Sequence, residues 1–456
     1  MLINFRVQNF LSFREEVEFT ALATLERQHR ERIFQSKSLR INLLPIAAFY
    51  GGNGAGKSNL YHALHFVRNL IVRAGTKPED AIDREAFRLD SNSVTSPSCF
   101  GFDLLLRGRC LRYEFAVTTK SVVSEDLGFL EGDTVKPIYR RRQEEGKDLW
   151  DPESFSSLNL SEEDREFVRF KTRDTLENEL FLSAVRGRKL PILEEVGRWF
   201  SRQLVLLDPH SDFRFVEASL MRAEEFKSFC IESLDKAGTG IDGMENEPIP
   251  IESLPFSEKL KEDVIKRLES GKDNQLVLLR GPNRTRFFLR SQDGVIEAFR
   301  LTTYHKGADG KHVAFEIADE SEGTERMIDL LPAFFELTNP RSNKVFFIDE
   351  LDRSLHTHLT RALIESFLES RTPESRAQLL FTTHDPLLLD QELLRRDEIW
   401  FIDKLEDGHS KLTALSDFKG IRYDKDIRKN YLLGRFAGLA PIRRLPRRHI
   451  ESVPGE

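Results

Sequence analysis

The order of apolar and polar residues predicts an α/β protein whose strands and helices alternate near both ends of the chain. Residues 1–20 alternate in the way typical of two short strands, joined by a turn at 9–13. Residues 45–50 are an apolar run typical of a buried strand, and a helical spacing of apolar residues follows at 60–72. Strands that alternate with helices predict a parallel sheet. Further buried-type strands are predicted at 344–348, 378–382 and 398–402.

The middle of the chain has a different pattern. Short strands separated by Gly and Asp at 99–141 predict an antiparallel meander. Helical segments are predicted at 161–200, 216–236 and 251–270, the glycine-rich stretch 237–250 is interpreted as a linker, and strands return at 275–317. The sequence therefore predicts four parts: an N-terminal lobe with the meander (1–158), a mainly helical insertion (159–274), a C-terminal lobe (275–442) and a basic tail (443–456).

The residues after the first buried strand fit a phosphate-binding loop. Residues 51–58 read GGNGAGKS and match G-x-x-x-x-G-K-[ST]. Glycines let backbone N–H groups wrap phosphates, Lys57 adds a charge for the β- and γ-phosphates, and the Ser58 hydroxyl suits Mg²⁺. A chance glycine-rich turn is the alternative, but the flanking strand and helix favour a P-loop. The sequence predicts ATP and Mg²⁺ as ligands, with loop residues Gly51, Asn53, Gly54 and Gly56 at the nucleotide.

A second candidate site follows the buried strand at 344–348. There the sequence continues with Asp349 and Glu350. At the C-terminal edge of a parallel strand, Asp349 would hold the metal ion through water, and Glu350 would orient or deprotonate the attacking water. The alternative is that an acidic pair after an apolar run merely begins a loop. The P-loop earlier in the chain favours the catalytic interpretation.

Two further candidates lie beside predicted elements. His384 follows the strand at 378–382 and would hydrogen-bond the γ-phosphate, although a lone His there is more often a satisfied polar residue. The residues SEGTE, 321–325, precede a helix, and Ser and Gly at such a place are first of all a helix cap. The alternative is an anion site that acts on a nucleotide bound to another subunit.

Composition narrows the function classes. The chain has 75 acidic and 68 basic residues and a net charge of −7, which argues against a protein whose whole surface neutralises phosphates. The three cysteines are too few for a disulfide framework and lack the spacing of a metal site. The sequence contains no apolar run of about 18 residues, so no membrane span is predicted and a cytoplasmic protein is expected. The basic tail contains Arg443, Arg444, Arg447 and Arg448, which could contact nucleic acid or an acidic partner, although a solvated terminus is the favoured interpretation; the run Arg140–Arg142 is similarly ambiguous.

These motifs together resemble the ABC-type ATPases of the RecF/SMC/OLD kind, and within them the bacterial AAA_15 group linked to phage defence and abortive infection. The resemblance spans nearly the whole chain. It rests on segments in the same order, which are MLINFRVQNFLSF (1–13), TLENELFLSA (175–184), SEGTERM (321–327), FFIDELDRSLH (346–356), LLFTTHD (379–385), LRRDEIWFIDK (394–404) and YLLGRF (431–436).

The resemblance implies an α/β fold, an ABC-type P-loop ATPase head with a mixed sheet, an antiparallel lobe and an inserted helical subdomain. It also implies roles for single residues. Residues 51–58 are similar to Walker A, Asp349 and Glu350 to Walker B, His384 to the switch histidine and 352–354 to the D-loop. No Q-loop glutamine is evident. Further nucleotide-binding residues implied are Asn9, Ser12 and Asn59, with Ser321, Gly323 and Thr324 as a degenerate signature.

The leading functional hypothesis is an ATPase that dimerises head-to-tail around ATP and controls a separate effector nuclease in anti-phage defence. The families it resembles include RloA- and AbiLi-type ATPases, with Toprim/RloB-like or HNH nucleases as partners, and more distantly the AriA ATPase of PARIS and the PtuA ATPase of Septu. About 52 residues follow Lys404, too few for another catalytic domain. Two alternatives stay open, a RecF-like repair ATPase that binds duplex DNA and a scaffold that hardly hydrolyses ATP. The presence of Glu350 argues against the scaffold.

Overall fold

The computed structural model describes residues 1–73, 76–132, 134–144, 146–209, 216–270, 276–281, 284–419 and 426–436. The predicted basic tail lies outside these ranges. Within them, no helix is both long and apolar enough to cross a membrane.

Strands dominate the N-terminal third, and helices and strands mix thereafter. The strands are β1 (Leu2–Gln8), β2 (Val17–Thr20), β3 (Phe34–Ser36), β4 (Ile41–Leu43), β5 (Ile46–Tyr50), β6 (Ser98–Leu106), β7 (Arg109–Val117), β8 (Val122–Glu131), β9 (Thr134–Glu144), β10 (Lys147–Trp150), β11 (Leu204–Leu207), β12 (Ile241–Ile249), β13 (Leu276–Arg280), β14 (Arg286–Gln292), β15 (Val295–Lys306), β16 (His312–Glu316), β17 (Val345–Ile348), β18 (Gln378–Thr383), β19 (Ile399–Lys404) and β20 (Ser410–Ala414). The helices are α1 (Lys57–Val72), α2 (Ser91–Thr95), α3 (Glu162–Asp174), α4 (Phe181–Ala184), α5 (Leu193–Arg198), α6 (Val216–Arg222), α7 (Glu224–Lys236), α8 (Glu258–Glu269), α9 (Glu322–Thr338), α10 (Thr357–Glu369) and α11 (Ile427–Leu432).

A six-stranded sheet carries the P-loop strand at its centre. Its order is β11-β17-β18-β5-β19-β20, with β20 antiparallel and the others parallel. All five residues of β5 are buried, which is why the sequence there is continuously apolar. The strands predicted at 45–50, 344–348, 378–382 and 398–402 are confirmed as β5, β17, β18 and β19.

The N-terminal lobe is a seven-stranded antiparallel sheet in the order β10-β9-β8-β7-β6-β1-β2, so the predicted meander is confirmed. One apolar cluster joins this sheet to α1 and to the residues after α5. Within the cluster, the Phe102 and Phe200 rings meet edge-to-face with centroids 5.0 Å apart. The packing fixes the N-terminal lobe against the helix that follows the P-loop.

A third sheet, β12-β15-β14-β13 with β16 beside β15, contains an error of element type. The interpretation of residues 237–250 as a linker is wrong, because 241–249 form strand β12, antiparallel to β15. Glu247 accepts hydrogen bonds from Tyr304 at 2.6 Å and Thr302 at 3.1 Å. Cross-strand polar contacts therefore hold a segment that has no apolar alternation of its own.

The middle segment is tied into both neighbouring sheets. Strand β11 pairs in parallel with β17, and β12 pairs with β15, although both lie inside the predicted insertion 159–274. The predicted limits at 158/159 and 274/275 therefore cut across two sheets, and the four-part division stays a prediction.

The arginines at 140–142 do not form one basic patch. The Arg141 side chain is fully buried, and it donates to the carbonyl oxygens of Glu179 at 2.7 Å and Leu176 at 3.0 Å. Arg142 points to the other face of β9, where it pairs with Asp126 at 2.7 Å. Alternation along a strand separates neighbouring charges onto opposite faces.

Candidate functional site

The loop between β5 and α1 follows a path that only glycine allows. Gly54 and Gly56 have φ values of +73° and +110°. A Cβ atom on Gly56 would lie 2.5 Å from Ser410 Oγ and 2.6 Å from Ser12 Oγ. The backbone therefore passes against neighbouring side chains with no room for a larger residue. Asn53 lies exposed in this loop.

The first turn of α1 is suited to an anion. The helix has 16 residues, its N-cap Gly56 contributes no side-chain hydrogen bond, and its first turn contains no acidic residue. The N-terminal N–H groups and the positive end of the helix dipole are therefore not compensated by a side-chain cap or a carboxylate. Ser58 lies in this turn, half-buried. A phosphate at this position would satisfy both the N–H groups and the dipole.

Lys57 is held over the same loop. Its Nζ atom lies 2.7 Å from Gly51 O, 3.2 Å from Gly52 O and 3.3 Å from His384 Nδ1. Burial lowers the pKa of Lys57 to about 8, although the carboxylates of Asp349, Glu350 and Asp352 act against that shift. The ammonium group is therefore fixed by carbonyl oxygens that phosphate oxygens can replace.

The two acidic residues after β17 are both held by Thr382 of β18. The Thr382 hydroxyl donates to Asp349 Oδ1 at 2.6 Å and accepts from the Glu350 N–H at 2.7 Å. Asp349 is buried, and Glu350 adopts a left-handed backbone conformation with φ of +49°. The buried Thr382 hydroxyl thus orients the Asp349 carboxylate and fixes the backbone turn from which the Glu350 side chain projects.

The Glu350 carboxylate faces His384. Its Oε1 atom lies 3.9 Å from His384 Nε2, and its Oε2 atom lies 3.9 Å from an Arg353 nitrogen. Burial, followed by the charge of Lys57, lowers the pKa of His384, so its ring is neutral at pH 7. Because the ammonium group of Lys57 can only donate, Nδ1 is the acceptor and the ring proton sits on Nε2, toward Glu350.

A chain of hydroxyl groups links the opening turn to the P-loop. Asn59 Nδ2 donates to Ser12 Oγ at 2.7 Å, and the Oγ atoms of Ser12 and Ser410 are 2.7 Å apart. Ser410 Oγ also donates to Ala55 O at 2.6 Å. The structure therefore places Ser12, Asn59 and Ser410 beside the loop, while contact of Ser12 and Asn59 with a nucleotide stays a prediction.

Asn9 is placed differently from the prediction. Its Nδ2 atom donates to the carbonyl oxygens of Ser93, Ser96 and Pro97 at 2.7, 2.9 and 3.1 Å, and its Oδ1 accepts from the Phe87 N–H at 3.2 Å. These bonds use both ends of a buried amide. The geometry supports a structural role in holding the 9–13 turn and does not support contact between Asn9 and a nucleotide.

The SEGTE segment caps α9. Ser321 is the N-cap, and its Oγ accepts from the Thr324 N–H at 3.1 Å. A Cβ atom on Gly323 would lie 2.8 Å from Ser354 O, so this segment lies directly against residues 352–354. Within the described ranges, no hydrogen bond joins residues 321–324 to the loop 51–58 of the same chain.

Two residues at this edge escaped the sequence analysis. Asp208 follows β11 and accepts from the Tyr61 hydroxyl at 3.4 Å, and the Asp349 N–H donates to Leu207 O at 2.8 Å, so β11 and β17 end side by side. An apolar run that ends in Asp, as in β17, is the sequence signal that could have found Asp208. Arg326 is buried in the electrostatic field of Asp329, Asp208 and Glu350; it lies in the SEGTERM segment, which alone gives it no role.

One family model covers most of these features. The family described as "AAA domain, putative AbiEii toxin, Type IV TA system" (AAA_21) matches residues 46–390, from the first residue of β5 to beyond His384. The chain belongs to this family. AAA_21 is a P-loop ATPase family related to the AAA_15 and ABC-type ATPases, and the parallel-rich sheet with its antiparallel neighbours is consistent with a P-loop ATPase fold. AAA_21 membership implies nucleotide binding and ATPase chemistry. No curated protein matches the chain.

Proposed function

We propose that this AAA_21 protein is an ABC-type ATP hydrolase whose reaction centre lies among Lys57, Glu350 and His384. The observation that carries the proposal is their convergence from three elements, with Lys57 Nζ 3.3 Å from one ring nitrogen of His384 and Glu350 Oε1 3.9 Å from the other. Cation, carboxylate and neutral imidazole are the groups needed to hold a γ-phosphate and activate water.

The chain's own residues divide this work. The backbone of 51–58 binds the phosphates, Lys57 exchanges its carbonyl contacts for phosphate oxygens, and Glu350 takes a proton from the attacking water. His384 donates from Nε2 to the γ-phosphate. Ser58 and Asp349 would hold Mg²⁺, which when bound neutralises charge on the phosphate oxygens. The fit is supported by the uncapped turn of α1 and by the Thr382 bond that orients Asp349.

The α9 cap would complete a site in a second copy of the chain. Ser321, Gly323 and Thr324 form a helix N-terminus that has no hydrogen bond to the described P-loop of its own chain. Helix N-termini can bind anions, but here Ser321 already caps one N–H group and Glu322 and Glu325 lie in the first turn, so the support comes mainly from the resemblance to the ABC signature. We therefore propose a head-to-tail dimer in which these residues act as a degenerate ABC signature toward the γ-phosphate of the partner subunit.

The biological role proposed is that of a sensor or regulatory subunit in anti-phage defence, acting on a separate effector nuclease of Toprim/RloB-like or HNH type. Support comes from the family description, which refers to a type IV toxin–antitoxin system, and from the sequence resemblance to AAA_15 defence ATPases. Purification of the chain together with the product of a neighbouring gene tests this role. A stable complex whose nuclease activity depends on ATP would support it.

Two variants test the ATPase centre directly. Lys57→Ala is expected to abolish ATP binding, because the phosphates lose the cation held over the loop. Glu350→Gln is expected to bind ATP like the wild type and to hydrolyse it more slowly by a factor on the order of 10²–10⁴, since only water activation is lost. Calorimetric titration and phosphate release measure the two effects.

The two results separate binding from chemistry. Unchanged ATP affinity in Lys57→Ala would contradict the P-loop assignment. Near-native turnover in Glu350→Gln would show that another group is the base. Lys259→Ala, at an exposed position on α8, is a matched control that should change neither property.

A further inference from the structure

A concave surface on the middle segment concentrates positive charge. The hollow has a volume of about 380 Å³ and lies between the end of α4 and the residues that follow α5. Its basic lining residues are Arg186, Arg188, Lys189, Arg198 and Arg202, against one acidic residue, Glu194. We call these five side chains the basic hollow. Counting Glu163 and Asp164, which pair with Arg188 beside the lining, five cations face three carboxylates, and this smaller positive excess is still opposite in sign to the net charge of −7 of the whole chain.

Part of this charge faces solvent. Arg186, Lys189 and Arg202 are exposed, and within the described ranges neither Lys189 nor Arg202 has an ion pair. An exposed cation without a partner attracts anions through solvent. These two side chains are the exposed cations of the basic hollow that have no ion pair among the described residues.

The other arginines are held in fixed orientations. Arg188 donates from Nε to Asp164 at 2.9 Å and from Nη2 to Glu163 at 2.7 Å, and its guanidinium group lies 5.4 Å from the Phe167 ring. Arg198 pairs with Glu194. A guanidinium group has five N–H donors, so each arginine keeps donors for a further acceptor while its orientation is set.

The backbone around the hollow is unusual. Ile192, just before α5, has a φ of +67°, and the chain leaves α5 through a π-helical turn, Trp199–Gln203, that carries Arg202. A β-branched residue with positive φ is a genuine outlier, and π-helical turns are rare and frequent at functional sites. A Cβ atom on Gly197 would meet nothing within 4 Å, so that glycine is not required by packing.

We propose that the basic hollow binds the phosphodiester backbone of a nucleic acid. Several cations at separate positions match a chain of phosphates better than a single small anion. The lining contains no aromatic residue on which a base could stack, so the contact reads the backbone and not the sequence.

The basic hollow is separate from the proposed ATP site. Arg186 donates to Val72 O, at the C-terminal end of α1, whereas Lys57 lies at the first residue of the same helix. Sixteen helical residues span roughly 24 Å. Nucleic-acid binding can therefore be measured without nucleotide, and its failure would leave the ATPase proposal standing.

The test uses the full chain and labelled probes, a DNA duplex of about 20 base pairs and an RNA single strand of about 20 nucleotides. Fluorescence anisotropy gives Kd between about 50 and 200 mM salt. The hollow variant carries both Lys189→Glu and Arg202→Glu. The control variant carries Lys120→Glu and Lys259→Glu, which make the same change of charge at exposed sites elsewhere. Thermal unfolding confirms that both variants are folded.

The proposal is supported if the wild type binds a probe and the hollow variant binds it at least tenfold more weakly, with a shallower salt dependence. The control variant should bind less than threefold more weakly than the wild type. Losing two phosphate contacts should reduce the slope of log K against log salt by about 2 for duplex DNA. Three results would overturn the proposal: equal loss of probe affinity in both variants, no binding by the wild type at 50 mM salt, or displacement of the probe by low millimolar inorganic phosphate. Displacement by phosphate would show a site for a small anion.

Discussion

Thr382 is the residue on which the acidic half of the proposed site depends. Its hydroxyl is fully buried and contacts both Asp349 and the backbone of Glu350. Thr382→Val keeps the shape but removes both bonds, so we expect a stability loss of about 1–3 kcal/mol from the unsatisfied buried N–H group. We expect kcat for ATP hydrolysis to fall by a factor on the order of 10², because a displaced base is misaligned.

Thr382→Ser separates positioning from packing. Serine keeps the hydroxyl and loses only a methyl group, so turnover should return to near the wild-type value even if the unfolding temperature is lowered. Phosphate release and thermal unfolding measure the two quantities. Equal turnover in the Val and Ser variants would contradict a positioning role for the hydroxyl.

Lys57 predicts a pH dependence of ATP binding. Burial lowers its pKa to about 8 in the nucleotide-free protein, so the side chain is cationic below that pH and loses its proton above it. Since phosphates require the cation, the Kd for ATP should be constant just below pH 8 and should rise up to tenfold per pH unit above it. Calorimetric titrations between pH 7 and 9.5 measure the break.

Lys57→Arg is the control for this break. A guanidinium group stays charged throughout this range, so the variant should bind ATP more weakly but without a change in slope near pH 8. A break of the same size in both proteins would assign the titration to another group.

At the residue scale, the sequence predicted those site residues whose chemistry follows from local spacing. Residues 51–58 and the acidic pair after β17 lie where their motifs place them. Asn9 is different, because its amide binds backbone of residues far along the chain, which no local pattern shows. Thr382 was also missed, because a polar residue near the end of a buried strand gains its meaning only from the neighbouring strand.

At the scale of elements, the start of α9 is coupled to the segment that follows Glu350. Gly323 lies so close to Ser354 O that Gly323→Ala must displace a backbone carbonyl group. We expect this variant to bind ATP through its own P-loop and to hydrolyse it at least roughly tenfold more slowly, which corresponds to about 1.4 kcal/mol. Gly197→Ala, which meets nothing within 4 Å on α5, should retain full turnover. Native turnover in Gly323→Ala would contradict the coupling.

The elements that the sequence predicted well are the ones buried on both faces. Strands β5 and β17 are apolar throughout, and β18 and β19 each contain an apolar run, because both faces of their sheet are covered. Strand β12 was missed because its sequence, IDGMENEPI, contains Gly and Pro and no alternation. Its pairing depends on β15, about fifty residues later, and such tertiary contacts override local preference.

At the scale of the whole molecule, the proposed dimer predicts complementation between two inactive chains. Ser321→Arg should bind ATP but fail to hydrolyse it, because the arginine blocks the helix start that faces the partner. Mixing it with Lys57→Ala should restore one composite site, made of an intact P-loop and an intact α9 cap from different subunits. ATPase activity against mixing ratio, after subunit exchange is verified, measures the rescue.

The rescue has clear limits. At most about half of the sites in a mixed dimer contain both intact halves. Native turnover by Ser321→Arg alone would show that the segment is only a helix cap. Exchanged mixtures that stay as inactive as either parent would mean either that hydrolysis needs both sites of the dimer or that Ser321 acts within its own chain.

The central position of β5 also governs when the protein can become active during its synthesis. Its two sheet neighbours, β18 and β19, are translated more than 300 residues after it. At about 5–20 residues per second, the ribosome needs roughly 20–70 s to add the interval from Tyr50 to Ile399. Until then the strand that carries the P-loop lacks at least one of its two sheet partners. A chain released early therefore lacks a folded nucleotide site, and translation that stops midway yields an inert product.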